Sequence, residues 1–115
     1  MQIPKQAVLL RIFIGEDDQF QGRPLYEAIV MRAREQHLAG ATVLRGPMGF
    51  GKSSRLHTTK ILRLSEDLPL VIEIVDAEDK IRAFLGELEG IGNIGLVTLE
   101  RVEVVRYGPG RGQGR

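Results

Sequence analysis

Apolar residues fall along this chain in short blocks with two different rhythms. Ala7-Val8-Leu9-Leu10-Arg11-Ile12-Phe13-Ile14 is a β-branched run closed by Gly15, which predicts a first strand. After the acidic and polar residues Glu16 to Gln19 the rhythm turns helical. Pro24 suits a first helical turn, and Tyr26, Ile29, Val30, Ala33 and His37 would form the inner stripe of a helix. That helix is expected to run to about Leu38 and to stop at Gly40. A second strand reads from Ala41 to Leu44, and Gly46, Pro47, Gly49 and Gly51 make 46–54 a loop. Ile61 to Leu64 reads as a short extended piece. Asp67-Leu68-Pro69 signals a turn, and Leu70 to Val75 is the clearest strand. Asp76 is expected to N-cap a second helix, with Asp79 at N3. Ala77, Ile81, Phe84, Leu85 and Leu88 would share its apolar face, and Gly90 would end it. Leu96 to Tyr107 reads as a last strand. The glycine-rich stretch 108–115 is expected to be disordered.

The predicted order is β-α-β, a long glycine-rich loop, then β-α-β. That is the α+β, ferredoxin-like βαββαβ arrangement, an antiparallel sheet with two helices on one face. One helix layer covers one sheet face, so the strands should alternate apolar with polar. They do not: Leu9 and Phe13 oppose Leu10 and Ile12, and Val71 and Val75 oppose Ile72 and Ile74. Such a two-faced sheet implies that its open side is covered, most economically by further copies of the chain.

The length of 115 residues suits one domain, and 16 Lys and Arg against 15 Asp and Glu leave +1. That balance gives no general affinity for nucleic acid or membranes. With no cysteine and only His37 and His57, disulfides, thiolate chemistry and a His-rich metal site are not expected. The N-terminal run has no signal-peptide pattern, which makes a cytoplasmic protein the expectation.

Gly46-Pro47-Met48-Gly49-Phe50-Gly51-Lys52-Ser53 satisfies G-x-x-x-x-G-K-[ST], the P-loop pattern. A working P-loop joins a buried parallel strand to a helix, and the residues after Ser54 lack a helical stripe. The chemistry outlasts the motif. Gly46, Gly49 and Gly51 let a backbone approach an anion, Lys52 and Arg55 supply charge, and Ser53, Ser54 and His57 supply donors. Gly90-Ile91-Gly92-Asn93-Ile94-Gly95 matches G-x-G-x-x-G but follows a helix, the reverse of the dinucleotide context.

Gly40-Ala41-Thr42-Val43, then Gly49-Phe50-Gly51 and His57, resembles the second strand and T-loop base of PII signalling proteins. With GEDDQFQGRPLYEAIV, AGATVLRGPMGFG, SSRLH, LSEDLPLVIEIVD and GLVTLERVEVVRY, the chain resembles the PII-like family called domain of unknown function 190 over roughly residues 5 to 107. The resemblance implies a single domain over 1–107, a homotrimer with inward-packed sheets, and a mobile T-loop at about 50–67. It further implies inter-subunit clefts that bind adenine nucleotides, and a T-loop that docks on a transporter, a channel or an enzyme. Gly49 and Gly51 match the T-loop base, Gly92, Asn93 and Gly95 take the place of the B-loop, and Arg101 and Arg106 lie where PII proteins carry basic residues. The expected function is a non-enzymatic sensor of a small anionic ligand, such as an adenine nucleotide. A P-loop-like nucleotide hydrolase and a ligand-free interaction module are the alternatives.

Overall fold

A computed structural model describes residues 3–50, 57–58, 67–92 and 94–108. The elements are β1 (Gln6–Gly15), β2 (Gln19–Phe20), β3 (Arg23–Pro24), α1 (Leu25–Glu35), β4 (Thr42–Arg45), β5 (Met48–Gly49), β6 (His57–Thr58), β7 (Pro69–Asp76), α2 (Glu78–Leu88) and β8 (Leu96–Glu103). The main sheet has strand order β4-β7-β1-β8, with every neighbouring pair antiparallel. This is the ferredoxin-like α+β fold that the periodicity predicts. The extended piece expected at Ile61 to Leu64 lies outside the described residues.

Alternate positions of the two central strands build the core. Val8, Leu10, Ile12 and Ile14 of β1 and Leu70, Ile72 and Ile74 of β7 are buried beneath Leu25, Ile29 and Ala33 of α1 and Ile81, Phe84 and Leu88 of α2. Each fully buried aliphatic or aromatic side chain contributes about 1.5–3 kcal/mol relative to exposure. The other face carries Leu9, Phe13, Val71 and Val75. Register aligns Leu44, Val71, Phe13 and Leu96 in one apolar row, of which Leu44 is 48% and Leu96 55% exposed. The next row across is Thr42, Glu73, Arg11 and Thr98. A polar belt therefore crosses the open face, which the apolar pattern alone did not suggest.

Local chemistry moves several boundaries. The polar stretch before α1 is a tight β2–β3 hairpin, with Gln21 at φ 52 and Gly22 at φ 79. Positive φ at both turn positions matches the twist of the flanking strands. α1 stops before the expected Leu38 and Gly40. Leu38 N–H donates to Ala33 C=O at 3.1 Å and His37 N–H to Arg34 C=O at 3.0 Å, a Schellman closure with His37 at φ 62. His37 is thus the left-handed cap residue rather than part of the inner stripe, and buried Leu38 turns into the core instead.

Asp76 also departs from its expected role. The N-cap of α2 is Ala77, with no side-chain cap hydrogen bond, so Asp79 falls at N2 rather than N3. Asp76 ends β7 on the core side and is fully buried. Its Oδ1 accepts from Ala77 N–H at 2.7 Å, and its Oδ2 accepts from Ala39 N–H at 2.9 Å. Instead of capping a helix, it ties the start of α2 to the α1–β4 connection.

Candidate functional site

Those expected binding residues that the structure describes lie at opposite ends of the sheet. At the end where β1 finishes and β7 begins, the glycine-rich segment leaves from a fixed base. Gly46 N–H donates to Pro69 C=O at 2.8 Å, and a Cβ at Gly46 or Gly49 would come within 3.1 Å of Pro69 Cγ. These two glycines thus have a packing reason for lacking a side chain. The returning arm is fastened as well: Glu16 N–H donates to Leu68 C=O at 2.8 Å, and Asp17 N–H to Asp67 Oδ1 at 2.8 Å. A 2.6 Å contact joins Arg45 to Glu16 across the same base. Gly51, Lys52, Ser53, Ser54 and Arg55 lie outside the described residues, and of His57 only the backbone is described, opposite Gly49.

This geometry lacks the P-loop context. The segment follows β4, an edge strand antiparallel to β7, and β5 pairs antiparallel with β6. A nucleotide-binding P-loop instead follows a buried parallel strand and opens a helix.

The second glycine cluster occupies the same end on the opposite edge. Gly92 has φ 70 and lies beside Phe20, while Gly95 packs against Phe13 C=O, 3.4 Å from where its Cβ would be. Asn93 lies outside the described residues. With β7 and β1 between β4 and β8, the two edges are about 14 Å apart at ~4.8 Å per strand. Among the described residues, Gly46 and Gly49 therefore stand across the sheet from Gly92 and Gly95.

Arg101 and Arg106 lie toward the other end. Arg101 pairs with Glu78 at 2.9 Å, and Glu78 also accepts from Arg82 at 3.0 Å. The Arg101 hydrogen bond, then the one from Arg82, holds the Glu78 carboxyl below its ordinary range. Arg106 lines a groove of about 540 Å³ on the open sheet face. Leu9, Ala41 and Val75 form apolar wall, while Thr42, Glu73 and Tyr107 join Arg106 as its polar groups. Glu73 accepts from Arg11 Nε at 3.0 Å, and Arg11 Nη1 reaches Glu100 at 3.0 Å. The Glu73 hydrogen bond is the main cause that raises the Arg11 pKa.

Sequence reading assigned Ala41, Thr42 and Val75 to strands and Tyr107 to a strand end, and so missed this groove. The available signal was the run of small residues Ala39-Gly40-Ala41, which leaves backbone open beside a potential ligand. Among the described residues no three His, Asp or Glu side chains gather as a metal site.

A family model, DUF190, described as "Uncharacterized ACR, COG1993", matches residues 7–104. The chain belongs to the DUF190 family. It is 48% identical over 105 residues to a UPF0166 protein of Aquifex aeolicus (strain VF5), covering 91% of this chain and 98% of that one. A UPF0166 protein of Methanocaldococcus jannaschii is 35% identical over 102 residues, covering 88% of this chain and 94% of that one. Among solved structures, the fold is similar to CPII, a nitrogen regulatory PII-like protein from Thiomonas intermedia K12 bound to ADP, AMP and bicarbonate. That similarity has a TM-score of 0.63 and 15% identity, covering 88% of this chain and 90% of that one. The PII-like architecture expected from the sequence is thus the architecture of this DUF190 member. Among its described residues, no helix is long and apolar enough to cross a membrane.

Proposed function

We propose that this DUF190 protein is a PII-like sensor that binds a small anionic ligand, with adenine nucleotides the first candidates, and signals through the 50–67 loop. The observation that carries the reading is the open-face groove. It combines apolar wall able to receive a planar base, hydrogen-bonding groups at Thr42 and Glu73, and the Arg106 guanidinium for an anion. The ADP and AMP of the Thiomonas protein make those nucleotides the natural probes.

In this reading the chain forms a homotrimer through its open sheet faces. Assembly brings the groove of one subunit toward the glycine-rich loops of another, where Gly49, Gly51, Lys52, Ser53, Ser54, Gly92 and Gly95 would meet the ligand's phosphates. Ligand binding biases the conformation of the loop and hence the surface offered to a transporter, channel or enzyme. Regulation rather than turnover is the proposed activity.

Isothermal titration of the wild-type protein with ATP, ADP and AMP tests the ligand class. Arg106→Ala should weaken binding about tenfold or more, the scale of a lost charge-assisted hydrogen bond. Lys52→Ala should act in the same direction if the phosphates reach the glycine-rich loop. No binding heat with any of the three nucleotides would end the nucleotide version.

A further inference from the structure

Past the end of β8, residues 104–107 stay against the domain. Val104 N–H donates to Lys5 C=O at 2.7 Å on the β1 side. Three residues later, Tyr107 Oη donates to Ala39 C=O at 3.1 Å, just before β4. Val104 follows β8 and Ala39 precedes β4, the two outer strands of the sheet, and both residues line the groove. Three extended residues reach about 10 Å, and the tyrosine side chain supplies the rest of the span.

The anchor is itself tied to the core. Ala39 is held on its other side by its N–H bond to Oδ2 of buried Asp76, at 2.9 Å. Tyr107 itself is 43% exposed, while Arg106, immediately before it, lines the groove. A fixed acceptor thus meets an accessible donor at the end of a short strap. A single neutral hydrogen bond of this kind shifts an equilibrium by about two- to tenfold, enough to bias the strap without locking it.

We propose that Tyr107 is a latch and a positioning residue: its hydrogen bond to Ala39 holds 104–107 across the groove and so sets Arg106 on the groove wall. The role given to Arg106 rests on the reading of the groove as a ligand site. An anion on Arg106 and the closed latch then stabilise each other, since linkage between two equilibria is reciprocal. Opening the latch would withdraw the arginine from the site.

Trypsin reads the latch directly, because the Arg106–Tyr107 bond is itself a cleavage site. Tyr107→Phe keeps the ring and removes only the donor. Intact-mass spectrometry of the full chain identifies the fragment ending at Arg106. Without nucleotide, that fragment should form about two- to tenfold faster from Tyr107→Phe than from wild type. ADP should slow its formation from wild type, and Tyr107→Phe should bind ADP about two- to tenfold more weakly by titration. Equal cleavage rates for the two proteins would overturn the latch, whatever ADP does. Faster cleavage with unchanged ADP affinity would overturn the positioning of Arg106. If wild type binds no ADP while Tyr107→Phe is still cleaved faster, the latch stands and the ligand reading falls.

Discussion

Asp76 shows how one residue's role depends on the side of the strand that it leaves. A position between a strand and a helix suggests an N-cap, but the even register of β7 sends this side chain under the helices. There each carboxylate oxygen takes one backbone N–H, from Ala39 and from Ala77. Buried N–H groups that lose their acceptor cost about 1–3 kcal/mol. Asp76→Asn keeps the size but offers one acceptor oxygen, so the other N–H would face an amide donor. Urea unfolding should show a loss of about 1–3 kcal/mol, and a change below about 0.5 kcal/mol, the range of neutral surface substitutions, would mean that the displaced N–H finds another partner. His37 teaches a similar lesson. Its spacing places it on a helical stripe, but the helix closes early with Leu38 turned into the core, which leaves His37 at the left-handed position.

At the scale of elements, the base of the 50–67 loop is a set of small close contacts. Gly15 is needed where Asp67 crosses it: a Cβ there would lie 2.8 Å from one Asp67 carboxylate oxygen and 2.9 Å from the other. Asp67 cannot retreat freely, because it also accepts from Asp17 N–H. Gly15→Ala should therefore cost roughly 1–3 kcal/mol, as overpacking does. Asp67→Ala loses a hydrogen bond but removes the clash, so the double variant should be less destabilised than the sum of the singles. Strict additivity in denaturant melts would show that the two residues do not press on each other. This base was partly legible in advance. The glycines at 46, 49 and 51 marked a loop, but the packing of Gly46 and Gly49 against Pro69 required the register of β4 on β7.

The whole molecule presents an apolar row on its open sheet face, with the Arg11, Glu73 and Glu100 belt beside it. Exposed apolar rows of this kind mark association surfaces. In the trimer proposed above, the wild-type protein should sediment at three times its chain mass of 12.8 kDa. Phe13→Lys, which places a charge between Val71 and Leu96, should shift it to monomers while leaving the helix-covered core untouched. A wild-type monomer at micromolar concentration would overturn the trimer and, with it, the convergence of the two glycine clusters.

Sequence by itself determined the order of the main strands and helices, most of the helix-side core and the family. Those depend on local rhythm, two residues per strand repeat and nearly four per helical turn, and on ordered motifs that survive in one dimension. Tertiary structure alone decided where the chemistry gathers. Thr42, Glu73 and Arg106 are far apart in the chain, and only strand order and register bring them to one groove. The same register separated the two glycine clusters, which look adjacent in purpose but stand on opposite edges of the sheet. Strand pairing fixes such distances through hydrogen bonds between residues remote in sequence, and no local pattern encodes them.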